Sequence, residues 1–232
     1  MPERVVFIHS AVGGARMWKR QVELLRGRFD PVAVDLPGWG ERPFPTRPFS
    51  FVEVLVELLP AILVGNSFGG RIALETALLH PDRVPKLMLV SPAPRDHEWS
   101  DDQRAFGQRE DELLASGDLD GATELNLERW ALPHARDTLR PMQRRAFELQ
   151  AAVAEPDVQW ADLPPLSTLA MPTLVVVGEH DVPDFHAIGE RIACEAKHAR
   201  LELVAGGGHH PSLEAPDTFD RLLLEFLEDR VR

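Results

Sequence analysis

Six short aliphatic or β-branched runs alternate with amphipathic stretches along this chain, and that alternation constrains the fold more than any other feature. The runs are Arg4 to Ile8, Val32 to Leu36, Ala61 to Gly65, Lys86 to Ser91, Thr173 to Gly178 and Leu201 to Ala205. Most are near-continuously apolar, the pattern of strands covered on both faces. Helical periodicity covers Met17 to Leu25, Phe51 to Leu59, Phe68 to Leu79, Asp184 to Ala196 and Asp217 to Val231. The last of these follows "APDTF", where Pro216 suits a first helical turn. Strand and helix alternating in this way predict an α/β fold with a mostly parallel six-stranded sheet, right-handed crossovers and helices on both faces. Ligands in such sheets gather at the carboxyl ends of the strands, so that edge is where chemistry is expected.

One region breaks the rhythm. Residues 95–165 contain no strand pattern, only helical ones such as "DDQRAFGQREDELLAS", "LDGATELNLERWAL" and "MQRRAFELQAAVAE". They predict a helical cap inserted into an α/β core made of residues 1–94 and 166–232, with the Pro-containing edges "SPAP" and "LPPLSTLAMP" as boundaries. The cap holds 16 Asp and Glu against 8 Arg and no Lys, about two-thirds of the chain's formal net charge of −12.

That charge weighs against a nucleic-acid partner, since binding a phosphate backbone depends on clustered Lys and Arg. No apolar run approaches membrane-spanning length, and "MPERVVFIHS" lacks a basic and apolar leader, so the expected setting is the cytoplasm and the expected partner a small-molecule substrate. Cys194 is the only cysteine, which excludes an intrachain disulfide, and its helical context reads as a packed or inert thiol.

Within this frame "GNSFG", residues 65–69, ends a strand on a serine between glycines and opens a helix. It fits a nucleophile elbow, a sharp turn that holds the Ser67 hydroxyl clear at the top of the sheet and has no room for side chains at Gly65 and Gly69. A serine needs a base. Of nine histidines, His209 and His210 follow the strand Leu201 to Ala205 and a "GGG" loop, which can deliver an imidazole to the same edge as Ser67. A carboxylate to orient that imidazole is offered by "GEHDVPD" after the fifth strand, as Glu179, Asp181 or Asp184. The same segment with His180 and His186 is the one conceivable metal site, although its spacing suits an acid loop better. "GNSFGGR" lacks the Lys-Ser/Thr ending of a phosphate-binding loop. No cofactor or metal is therefore expected.

Taken together these residues resemble an α/β-hydrolase of the Ser-His-Asp type, and the resemblance covers nearly the whole chain. Besides the elbow, the family's D-x-P-G-x-G loop stands at "DLPGWG", Asp35 to Gly40, and its G-H-x-x-x-x-E-x-P segment at "GHHPSLEAP", Gly208 to Pro216. The resemblance implies Ser67 as nucleophile, Asp181 rather than Glu179 as the acid, and His209 rather than His210 as the base, with Glu214 and Pro216 setting the last helix. It also implies an oxyanion hole from the backbone N–H groups of Phe68 and Ala11. Trp39 and Trp130 are among the aromatic residues available to a pocket, and with Ser10 and His210 they are the expected substrate contacts. Two departures stand out: the family's H-G after the first strand is His9-Ser10 here, and the antiparallel strand pair that commonly precedes that strand is missing. The expected function is cofactor-free hydrolysis of a small, largely apolar ester or lactone through an acyl-enzyme. Two alternatives are cleavage of carbon-carbon bonds in ring-cleavage keto-acids and ligand binding with little turnover. The keto-acid reading would need a carboxylate site, for which Arg129, Arg136, Arg140, Arg144 and Arg145 of the cap are candidates.

Overall fold

The computed structural model describes residues 2–153 and 156–229. Six strands, β1 (Arg4–Ile8), β2 (Asp30–Val34), β3 (Ile62–Asn66), β4 (Leu87–Val90), β5 (Thr173–Gly178) and β6 (Ala199–Val204), form one sheet in the order β2-β1-β3-β4-β5-β6. Every pairing is parallel. The core helices are α1 (Lys19–Leu25), α2 (Phe51–Val56), α3 (Phe68–Leu79), α7 (Pro183–Glu195), α8 (Pro211–Glu214) and α9 (Pro216–Glu228), and helices cover both faces of the sheet. Arg230 and Val231, which the sequence pattern adds to the last helix, lie outside the described residues.

The strands sit where the apolar runs predict them, with small shifts that have local causes. β2 begins two residues early because Asp30 pairs with Arg4 in the sheet register and in an ion pair at 2.9 Å, while Pro31 hides this start in the apolar pattern. α2 stops at Val56 rather than Leu59, ahead of Pro60, whose ring disfavours helical backbone in the residue before it. Every residue of β3, β4 and β5 is buried, whereas β2 is half-buried throughout, as an edge strand should be. Cys194 is exposed on α7 rather than packed.

The chain runs from β1 outward to β2 and then crosses back to β3 on the other side of β1. This reversal opens a crevice over the ends of β1 and β3, the place where such sheets bind ligands. Between β4 and β5 lie α4 (Asp101–Ala115), α5 (Leu119–Trp130) and α6 (Arg136–Ala151). Ser100 starts α4 by accepting the Gln103 N–H at 3.2 Å, and Asp118 starts α5 by accepting the Gly121 N–H at 2.8 Å. After α6 the chain returns along the core. Phe49 exchanges backbone hydrogen bonds with Asp157 and Gln159, and the Trp160 ring packs against Phe51 at 5.7 Å.

Candidate active site

The elbow after β3 is tight enough to exclude side chains at two positions. A Cβ on Gly65 would stand 2.3 Å from the Gly69 carbonyl oxygen, and one on Gly69 would stand 2.4 Å from the His9 carbonyl oxygen. Ser67 between them has φ 54° and ψ −113°, a backbone state that L residues rarely occupy and that functional sites retain. Its N–H donates to the Val90 carbonyl at 2.8 Å, and α3 starts at the next residue. Asn66, the variable position of the motif, is fully buried, and its Nδ2 donates to the carbonyls of Val90 at 3.0 Å and His209 at 3.1 Å. The serine turn is thereby tied directly to the histidine loop.

His209 and Asp181 are brought together. The His209 Nδ1–H donates to the Asp181 carboxylate, 3.1 Å from Oδ1 and 3.0 Å from Oδ2, which leaves Nε2 as the bare acceptor. Burial pushes the Asp181 carboxyl up, but the charge and N–H of His209, with the Val182 N–H, outweigh it and hold the group below its ordinary range. The imidazole lies between Phe185 at 4.4 Å and Trp130 at 4.7 Å. Glu179 does not reach the histidine; its Oε2 accepts the Gly206 N–H at 2.9 Å and pins the turn. Asp184 serves Ser100 through its N–H at 2.9 Å and its hydroxyl at 2.8 Å, and meets His97 at 3.2 Å. Among the described residues no group of three or more His, Cys, Asp or Glu is gathered as a metal would need, and the set around His180 and His186 is not assembled.

The first loop is held by two histidines in opposite ways. His9 Nδ1–H donates to the Ser10 carbonyl at 2.7 Å while its Nε2 accepts the Leu36 N–H at 3.0 Å. The Ser10 carbonyl also accepts the Gly13 N–H at 3.0 Å. Because the peptide is planar and trans, anchoring the Ser10 carbonyl points the Ala11 N–H the opposite way. Among the described residues neither the Ala11 nor the Phe68 N–H donates to another main-chain carbonyl outside regular elements. Ser10 is absent from the non-glycine residues with positive φ, which are Ser67 and Ser91, so the missing glycine costs no strain.

Ser10 and His210 depart from expectation. Both are fully buried, and neither lines the cavity over Ser67. The His210 Nδ1–H donates to the Trp130 carbonyl at 2.8 Å, so its Nε2 accepts the Ser10 hydroxyl at 2.8 Å. Burial, with the nearby His209, pushes the His210 imidazole down to about 3, so it is neutral. Glu214, the motif glutamate expected to set the last helix, ties the histidine loop instead: Oε2 accepts the N–H groups of Gly208 at 2.7 Å and His210 at 2.9 Å, and Oε1 accepts that of Leu132 at 2.8 Å. It joins the histidine loop to the exit of α5. Glu214, Gly208 and His210 are buried and Leu132 is half-buried, and all three partners donate through the main chain.

Over this arrangement lies a cavity of about 290 Å³ lined by Ser67, His209, Ala11, Phe68, Trp39 and Trp130 with residues of the cap helices. Trp39 stacks on Phe68 at 5.3 Å, and its indole N–H donates to the Ala11 carbonyl at 2.7 Å. None of the five candidate cap arginines lines it. Arg129 is paired with Asp102, Arg140 with Glu124, Arg144 with Asp120 and Glu148, and Arg145 with Glu41 and Glu148, while Arg136 donates to the Ala131 carbonyl.

Residues 5–222 match the alpha/beta hydrolase family. The chain belongs to that family. As an alpha/beta hydrolase it is 32% identical to a pimeloyl-(acyl-carrier protein) methyl ester esterase of Chromobacterium violaceum, over 98% of this chain and 95% of that protein. It is 31% identical to an enzyme of the same name from Xanthomonas campestris pv. campestris, over 96% of this chain and 94% of that one. Its fold superimposes on the enol-lactonase from Burkholderia xenovorans LB400 with a TM-score of 0.80 at 22% identity, covering 99% of this chain and 92% of the other. This alpha/beta hydrolase is an enzyme of the hydrolase class. No helix among its described residues is long and apolar enough to cross a membrane.

Proposed function

We propose that this chain is a serine ester hydrolase that works without a cofactor on a small, largely apolar carboxylic ester or lactone. The observation that carries the reading is one cavity holding a serine at a strained helix-opening turn and a histidine whose other nitrogen is committed to a buried carboxylate. In this reading His209 Nε2 takes the Ser67 proton as Oγ attacks the ester carbonyl. The oxyanion is met by the N–H groups of Phe68 and Ala11, backbone donors that cost no reorganisation during the reaction. The tetrahedral intermediate then collapses, the protonated His209 gives its proton to the departing alkoxide, and an acyl-Ser67 ester remains. Water, deprotonated by the same nitrogen, attacks that ester, and as the second tetrahedral intermediate collapses His209 returns the proton to the departing Ser67 Oγ and the carboxylic acid is released. Asp181 keeps the ring in the Nδ1–H tautomer and stabilises the imidazolium. Ser10 and His210 support the first loop from below and have no assigned contact with substrate. Trp39 and Trp130 are proposed as substrate-contacting walls, and residues 95–165 as the cap that completes the pocket.

The named relatives act on methyl esters, which makes methyl esters the starting substrates. Steady-state turnover of a methyl ester, aryl ester and lactone panel tests the reading. Ser67→Ala should lose at least about 10³-fold in kcat while folding normally. Comparable turnover by the folded variant would end the mechanism, and absence of turnover by the native chain across the panel would favour a ligand-binding protein.

A further inference from the structure

The cavity has two unlike walls. Toward the core it presents the reacting groups with apolar side chains such as Val12 and Phe68; toward the cap, Phe106, Leu114 and Phe147 are interleaved with polar groups, Glu110 of α4, Asn126 of α5, and Gln143 and Gln150 of α6. Among the described residues Glu110 is the only carboxylate that lines the cavity, and no Lys or Arg lines it. One Glu110 oxygen accepts Asn126 Nδ2, whose amide also donates to the Ala122 carbonyl at 3.0 Å. The second oxygen makes no hydrogen bond or ion pair among the described residues. Gln143 is 3% exposed, and its buried Oε1 has no partner. Arg129, whose guanidinium lies over the Phe106 and Trp130 rings, is drawn off by Asp102 and Gln103. Burial pushes the Glu110 carboxyl up, the Asn126 hydrogen bond offsets it only in part, and Asp111 adds to the rise.

A wall that leaves one carboxylate oxygen and one buried amide oxygen unpartnered is costly unless something donates to it. A carboxylate brought against it would meet the like charge of Glu110 at close range. We infer that this cap wall is the subsite for the substrate's far end, and that it selects a hydrogen-bond donor, hydroxyl or ammonium, over a methyl and against a carboxylate. The inference rests on the ester hydrolase reading above and deepens it. Glu110 and Gln143 are then specificity-determining residues on two different cap helices.

The test uses four methyl esters of one chain length that end in methyl, hydroxyl, ammonium or carboxylate. Native kcat/KM should be about tenfold or more higher for a donor-ended ester than for the methyl-ended one, and lowest for the carboxylate. The ratio of donor-ended to methyl-ended kcat/KM is read within each variant, so a general loss of activity cancels. Glu110→Gln should collapse the ammonium ratio, and Gln143→Leu the hydroxyl ratio. The ammonium ratio of the native enzyme should also rise with pH as Glu110 ionises, a dependence that Glu110→Gln abolishes. A carboxylate-ended ester turned over as fast as the methyl-ended one, or ratios unchanged in both variants, would overturn the inference. If the native chain hydrolyses none of the four, the ester hydrolase reading fails on its own, and calorimetric binding of the same esters to Ser67→Ala still decides the end-group order. Equal affinities there would overturn the subsite.

Discussion

Replacing His210 with Gln should flatten the pH dependence of stability between about pH 7 and pH 5. His210 has no exposed surface, and burial with the neighbouring His209 lowers its value from 6.5 to about 3, despite the Trp130 carbonyl and the more distant Asp181 charge. A group depressed in the folded state contributes stability that is complete above its unfolded value and is lost as pH falls toward its folded one. Below 6.5 the unfolded chain takes up a proton at this residue and the folded chain does not. From that gap His210 alone should remove about 2 kcal/mol of folding free energy between pH 7 and pH 5, and about 4 kcal/mol by pH 3. His9 is also lowered by burial and adds loss of the same sign, whereas Glu110 is raised and works the other way. Both remain in the variant, so the difference between the two proteins isolates His210. The carboxyls held below their ordinary range, Asp96, Asp181 and Asp184, titrate beneath this window. Urea unfolding followed by tryptophan fluorescence at a series of pH values gives the two slopes. The variant should be less stable at neutral pH, because the Ser10 hydroxyl and the Trp130 carbonyl lose buried partners worth about 1–3 kcal/mol each. That offset does not bear on the test; a variant that kept the native loss between pH 7 and pH 5 would refute the argument.

Asn66→Leu removes the donors to Val90 and His209. It should cost about 2 kcal/mol or more in urea unfolding and should lower kcat with KM little changed; a raised KM at unchanged kcat would show that Asn66 does not position the base. Asp181→Asn should lower kcat by about 10³- to 10⁴-fold through the wrong imidazole tautomer. Full activity in that variant would remove Asp181 from the mechanism.

The parts of this site that were legible in the sequence are those in which chemistry and backbone geometry demand one residue type at one short spacing. "GNSFGG" could be read because two glycines meet the backbone of Gly69 and His9 at distances that no side chain tolerates. The strand runs could be read because β3, β4 and β5 are buried on both faces, so their apolar pattern is uninterrupted. Edge strand β2 was displaced by two residues for the converse reason, its half-buried residues carrying a weaker pattern. Asp181 and Glu179 stand two residues apart on one loop, and local spacing alone did not separate them. What separates them in space is that Glu179 turns to the Gly206 N–H. Adjacency in sequence does not place His210 in the pocket beside His209: the two rings lie nearly perpendicular, at 89°, and the second is buried beneath the first loop. Glu110, Asn126 and Gln143 carried no signal, since each is an ordinary polar residue in a cap helix until folding brings three helices to one cavity.

The ties around His209 also limit how the cap can move. Asn66 holds the His209 carbonyl from the elbow side, and Glu214 holds the Gly208 and His210 N–H groups from below. The same Glu214 carboxylate takes the Leu132 N–H, its main-chain carbonyl receives the His134 Nε2–H at 3.1 Å, and His210 donates to the Trp130 carbonyl. The link from α5 to α6 is therefore anchored at three successive places to the loop that carries the histidine. Opening the cap there would break charge-assisted and buried hydrogen bonds, each more costly than an exposed contact. It would also pull the Trp130 ring from the face of the imidazole. Helix α4, which has no fully buried residue, meets the core through Ser100 on Asp184. It is tied to α5 by Asn126 on Glu110, by Arg129 on Asp102 and Gln103, and by Phe106 against Trp130 at 5.3 Å, so the anchoring of α5 reaches α4 and the Glu110 wall as well.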